Sequence, residues 1–241
     1  MKRAFLASLL LLALATVPQA DPLAWVNSVR HASGMPVLVS DTLLSQTASR
    51  WAAMLAQSGI LSHRGADGSS ALNRYRALGG TEAHVGEILG AGPSLGDIEK
   101  GWMKSSEHRA LALEESWTHA GWGSAAAGSS VVAVMVFCQK LVDGLTITLG
   151  ENGLSVGGIF VTDKAARGLL FSGLDAFSPV QWDPRSRRFR FEVPGPSVEG
   201  YLRLGYVTPS GGFALTNAFT LPRETEFPAG PARSAAPAPS P

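Results

Sequence analysis

Seven consecutive residues, Val131-Val132-Ala133-Val134-Met135-Val136-Phe137, are apolar without a break. A run of that length, rich in β-branched residues, reads as a strand. Because it is apolar at every position rather than at alternate ones, both of its faces must be covered. It therefore belongs in the middle of a sheet. Just upstream, Gly121-Trp122-Gly123 opens a second strand.

Before these strands the pattern is helical. Asp21 and Pro22 form a helix start, with Asp as N-cap and Pro at the first helical position. Leu23, Trp25, Val26 and Val29 follow, and Gly34 ends the segment. Ser40 or Asp41 caps a second helix, in which Leu44, Ala48, Trp51 and Leu55 recur at helical spacing. Gly59 stops it at the usual C′ position. A third helix is predicted from Ser69 to Leu78, a short strand from Val85 to Leu89, a helix capped by Ser94, and a last helical stretch from Ser105 to Glu114.

The pattern changes after Lys140. Thr146-Ile147-Thr148-Leu149 and Leu154-Ser155-Val156 flank Gly150-Glu151-Asn152-Gly153, a hairpin signal. Phe189-Arg190-Phe191-Glu192-Val193 alternates strictly, and 201–207 and 213–219 do so more loosely. About seven short strands in about eighty residues suggest a small all-β sandwich of immunoglobulin type. It lacks paired cysteines, and Trp182 is the candidate core residue in their place. The fold class expected is α+β, with residues 21–142 as one domain and 143–222 as the β-sandwich. Residues 223–241, rich in Pro, Ala and Ser, read as a disordered tail.

Met1-Lys2-Arg3 followed by the apolar stretch 4–17 has the form of a signal peptide, with cleavage after Ala20. The apolar run is short for a membrane span, so no stable membrane anchor is expected and the mature chain should be secreted or periplasmic. The chain has 20 Lys and Arg against 19 Asp and Glu; without Lys2 and Arg3 the balance is 18 to 19, a formal charge of −1. No basic stripe remains, which disfavours nucleic acid as a partner. The basic cluster Arg185-Ser186-Arg187-Arg188 reads as a solvated hairpin tip. The single cysteine, Cys138, excludes an internal disulfide framework and reads as a small buried apolar residue.

Chemistry-bearing residues of the first half stand at the edges of predicted elements: Leu61-Ser62-His63, Gly86-Glu87-Ile88, and Trp102-Met103-Lys104-Ser105-Ser106-Glu107-His108-Arg109. Two imidazoles and a carboxylate can hold a divalent metal or run acid–base chemistry. Spacing alone gives no local metal motif, and by that criterion each His reads as a satisfied residue closing a helix end. His31 and His119 read as surface or packing residues, and Arg74 and Arg109 as members of structural pairs.

The same residues carry a resemblance. Asn27-x-x-Arg30, Leu61-Ser62-His63, Gly86-Glu87, Trp102-Met103-x-Ser105-x-x-His108-Arg109 and Gly121-Trp122-Gly123 before an apolar strand resemble, in that order, the CAP superfamily of cysteine-rich secretory, antigen 5 and pathogenesis-related proteins. The Trp102-Met103-x-Ser105-x-x-His108-Arg109 string looks like the bacterial branch, and the resemblance stops near Lys140. It implies an α-β-α sandwich with a groove on one face. His63 and His108 match the family's two metal-binding histidines, Glu87 matches one glutamate, and zinc is the implied cofactor. Ser105 stands where eukaryotic members have the second glutamate, Glu107 lies near that position, and Ile88 replaces a common Asn. Glu87, Ser105 and Glu107 are thus the expected groove-lining residues.

Two functions are open on this reading. One is a non-catalytic exported module whose groove holds a metal, a small ligand or an envelope component. The other is a metal-assisted hydrolase acting on peptides or cell-envelope polymers, with Glu87 accepting a proton from metal-bound water. The absence of an assembled nucleophile–base pair favours the first. A third reading is attachment through the β-sandwich with a vestigial groove.

Overall fold

The computed structural model describes residues 21–150, 153–161, 169–173, 176–194, 201–208 and 210–220. The signal-type segment 1–20 and the tail 223–241 lie outside them. In chain order the elements of the first unit are α1 (Pro22–Ala32), β1 (Val39–Ser40), α2 (Thr42–Ser58), α3 (Ala71–Ala77), β2 (Val85–Gly92), α4 (Leu95–Lys104), α5 (Ser106–Ala112), β3 (His119–Ala127) and β4 (Ser130–Cys138). The sheet order is β1-β3-β4-β2, so β4 is central and β2 forms one edge.

The unbroken apolar run resolves into two alternating sets. Ala133, Met135 and Phe137 join one core cluster with Val26 of α1, Ile98 and Trp102 of α4 and Ala112 of α5. Val132, Val134, Val136 and Cys138 join the other with Leu44, Ala48, Trp51 and Leu55 of α2 and Tyr75 of α3. Each fully buried large side chain of this kind contributes about 1.5–3 kcal/mol. Helices thus cover both faces of the sheet.

Asp41 caps α2 by accepting from Leu44 N, and Gly59 ends it with φ of 71°. α3 is shorter than the 69–78 expected. Ser70 is its cap, with Asn73 completing a capping box. β2 is longer than the 85–89 expected, because every residue to Gly92 finds a partner on β4. Arg30 is 0% exposed. It donates to the carbonyls of Pro36, Ala112 and Glu114, tying α1 to the end of α5. Asn27 bonds both backbone groups of Leu38. The Asn-x-x-Arg pair is thus a structural clasp.

The second unit contains β5 (Val142–Gly150), β6 (Gly153–Phe160), β7 (Leu169–Gly173), β8 (Ala176–Val180), β9 (Arg188–Pro194), β10 (Tyr201–Val207) and β11 (Phe213–Thr220). They form two antiparallel sheets, β5-β6-β9 and β11-β10-β7-β8. One core cluster takes Val142, Leu154, Val156, Phe160 and Phe189 from the first sheet and Val180 and Leu204 from the second. Trp182 lies at its margin, edge-on to Phe160. The two units are also hydrogen-bonded to each other. Ala83 N donates to Thr216 O (2.9 Å), and Ala218 N to Thr81 O (2.8 Å).

Candidate functional site

β2 is the edge strand, so the two helical layers meet beside it. His63 arrives from one layer, just past the end of α2, and His108 from the other, in the first turns of α5. Glu87 sits on β2 opposite Val136. Its side chain points to the α2 and α3 side, as that of Leu89 does two residues on.

Trp51 Nε1 donates to Ser62 O at 3.2 Å, which pins the segment carrying His63 against α2. His63 Nδ1 donates to Glu87 Oε1 at 2.9 Å. The His63 side chain is 55% exposed, whereas that of Glu87 is 3% exposed. The other carboxylate oxygen, Oε2, accepts from Arg74 Nη2 at 2.7 Å. Both oxygens of Glu87 are therefore engaged, and the Nε2 side of the half-exposed His63 ring is the one left for a ligand.

His108 is held from below by Ser105, the N-cap of α5, whose Oγ accepts from His108 N at 3.4 Å. Ser105 Oγ donates in turn to Glu107 Oε2 at 3.0 Å. Burial lowers the pKa of His108 below the ordinary histidine value. Charge on His63 lowers it further, and Glu107 opposes the shift. The two imidazoles are thus electrostatic neighbours. Glu107 is exposed, and hydrogen bonds from its own backbone, Ser105 and Ser106 hold its carboxyl below the usual range.

His84 and Glu82, close to Glu87 in sequence, do not join it. His84 stacks on Trp117 and bonds Glu114 Oε1 at 3.1 Å. Glu82 is buried and accepts from Tyr75 OH. His31 is exposed on α1. His119 lines a separate cleft of about 600 Å³ with Asp41, Glu82 and Lys140 at the junction of the two units.

Whether these donors suit a metal depends on how many of them converge with lone pairs to spare. Among the described residues no group of three or more His, Cys, Asp or Glu side chains is placed to hold a metal ion. Catalytic zinc sites use three protein ligands and structural sites four. With Glu87 committed to His63 and Arg74, the donors left here are two imidazoles. These residues do not build a zinc site of either kind by themselves.

Sequence reasoning placed Arg74 in a structural pair without naming Glu87 as its partner, and it took Trp51 only as a core residue. Arg74 stacks on the Trp51 ring, with its guanidinium carbon 3.8 Å from the centroid. It also donates to Ser69 O at 3.0 Å and, more weakly, to His63 O at 3.4 Å. No local pattern announces a contact between Arg74 and Glu87. An arginine one turn into a short helix was the available signal.

The first unit is thus a three-layer α-β-α sandwich, with His63 and His108 arriving from opposite helical layers beside an edge strand. Residues 23–139 match the family model described as CAP, cysteine-rich secretory protein family, and this first unit is a CAP domain. Solved structures similar to the chain include an outer surface protein of Borrelia burgdorferi. It is 18% identical with a TM-score of 0.46, covering 49% of this chain and 89% of that one. An extracellular protein containing an SCP domain from Bacillus anthracis is 21% identical with a TM-score of 0.45, covering 48% of this chain and 38% of its own. A cysteine-rich secretory protein of Staphylococcus aureus is 18% identical with a TM-score of 0.40, covering 49% and 37%. No curated protein matches the chain by sequence. No helix among the described residues is long and apolar enough to cross a membrane.

Proposed function

We propose that the protein is an exported, non-catalytic binding module. Its groove presents His63 and His108 to a small ligand or to a divalent metal that takes its remaining ligands from water or from the bound molecule. One observation carries this reading: the Glu87 carboxylate is 3% exposed and is held by His63 at one oxygen and by Arg74 at the other. A hydrolase with Glu87 as its base needs that carboxylate open to a water, and here it is enclosed by its partners. The serines give no substitute, since Ser62 Oγ donates to Arg64 O and Ser105 Oγ to Glu107. Export is supported by the charged and apolar residues at the start of the sequence. The second unit fits an immunoglobulin-type sandwich. Lettered A to G, its strands run A-B-E in one sheet and G-F-C-D in the other.

Calorimetric titration of zinc into the full chain tests the groove. Saturable binding should be lost in both His63→Ala and His108→Ala. Equal affinity in wild type and H108A would remove the shared site. A hydrolysis screen with peptide and envelope-polymer substrates, run with zinc and with chelator, should show no turnover. Zinc-dependent turnover that vanishes in H108A would replace this reading with the hydrolase.

A further inference from the structure

We infer that Arg74 is the positioning residue of the groove: it locks Glu87, and through Glu87 it sets which nitrogen of His63 faces a ligand. The inference rests on the reading of His63 as a ligand-binding residue. It adds a residue and a means by which that site is set.

Four partners define the lock. The Arg74 side chain is 12% exposed, and its guanidinium carbon sits over the Trp51 ring, 3.8 Å from the centroid. One of its amino groups bonds Ser69 O and reaches toward His63 O, and the other bonds Glu87 Oε2 at 2.7 Å. A guanidinium held by a ring on one side and by backbone carbonyls at its rim has little freedom to rotate. Its Nη2 is therefore fixed in place and holds the carboxylate oxygen it meets through one charge-assisted bond. Glu87 needs such a partner, because a buried carboxylate without a cation is costly. With Oε2 occupied, Oε1 is the oxygen left for His63, and a carboxylate oxygen can only accept. Nδ1 must then carry the proton, so Nε2 presents its lone pair to the groove.

Without Arg74 the chain of constraint breaks at its first link. Glu87 can turn away, and His63 is free to choose its tautomer and its ring orientation. Trp51 links this lock to the loop, since its indole N–H holds Ser62 O while its ring carries Arg74.

The test is made on the full chain with ¹⁵N-labelled histidine, at a pH where the imidazoles are neutral. The His63 signals are assigned by their loss in H63A. In the wild type, long-range ¹H–¹⁵N spectra should show Nδ1 protonated and Nε2 bare. Arg74→Gln should move His63 to the opposite tautomer or to a mixture. Arg74→Lys keeps one bond to Glu87 but loses the fork and the stack, and should fall between. A wild-type His63 protonated on Nε2 overturns the inference without any variant, so it stays testable if R74Q fails to fold. An unchanged tautomer in folded R74Q and R74K also overturns it. Zinc titration gives a separate arm, where R74Q should bind about 10–100-fold more weakly than wild type. If the wild type binds no zinc, the metal reading fails while the tautomer still decides the role of Arg74.

Discussion

Tyr75 donates its phenolic hydrogen to Glu82 inside the protein, at the point where the CAP domain meets the second unit. Thr81 N also donates to the same oxygen, and the backbone on either side of Glu82 pairs with β11. Burial and the neighbouring carboxylate push the Tyr75 hydroxyl pKa far up, so it stays a donor at every accessible pH. Tyr75→Phe leaves a buried carboxylate short of its strongest donor. A hydrogen bond to a charged group is worth about 1.5–3 kcal/mol. Thermal melting of Y75F should show a loss of that size. An unchanged midpoint would mean that the junction does not depend on this bond.

A second prediction concerns acid. His119 opens β3 and is half-buried beside Lys140, with Asp41, Glu82 and Asp143 also in its field. Burial lowers its pKa, Lys140 lowers it further, and the three carboxylates oppose the shift without reversing it. The same direction holds for His108. In the unfolded chain both return to the ordinary value, so as pH falls through that value the unfolded state takes up protons first. Stability from these groups is fully present above the ordinary histidine pKa and declines as pH drops toward the lowered folded values. Urea unfolding should therefore show a falling midpoint between roughly pH 7.5 and 5.5. His119→Gln should flatten that dependence. A midpoint constant across the window in the wild type contradicts the assignment.

The legible parts of this protein were those whose signal is local or ordered along the chain. The run 131–137 announced a covered central strand, and β4 is central. What it could not show was its alternation, because both faces are apolar and the two sets of side chains look alike until helices are placed over them. Gly59, Asp41 and Ser94 marked helix ends because capping is a matter of a few adjacent residues. His63, His108 and Glu87 stood out through the ordered resemblance. Arg74 did not, since its bond to Glu87 joins a helix to a strand with no period connecting them. The docking of residues 81–83 on β11 is equally silent in sequence, because backbone pairing between distant segments leaves no side-chain mark. The predicted helix begins at Ser69, two residues before α3 does, because Ser70 is the cap of α3 rather than part of it. Asn73, three residues beyond Ser70, completes the capping box that fixes this start.

The last prediction returns to Gly121-Trp122-Gly123. On β3 the two glycines face α2, and Trp122 faces the opposite layer, where its indole N–H donates to Asp21 Oδ1 at 3.1 Å. A Cβ built on Gly123 would run into the backbone of Ser49, and one on Gly121 into the backbone of Leu44 and Ser45. Helix α2 therefore lies directly on the bare backbone of β3, closer than any side chain permits. This closeness sets the depth at which Leu44, Ala48 and Trp51 enter the core. It also sets the position of Trp51, which carries both the His63 segment and Arg74. Gly123→Ala cannot be absorbed by a rotamer change, because the obstacle is helix backbone. Overpacking of this kind costs about 1–3 kcal/mol or more, and here the upper end applies. G123A should lower the melting temperature and also weaken ligand binding in the groove, since α2 must lift. As a control, Gly101→Ala on α4 meets nothing within 4 Å. It lies inside a helix, where replacing Gly should instead stabilise by about 0.5–1 kcal/mol. Equal melting temperatures for G123A and the wild type would refute the close approach of α2 to β3.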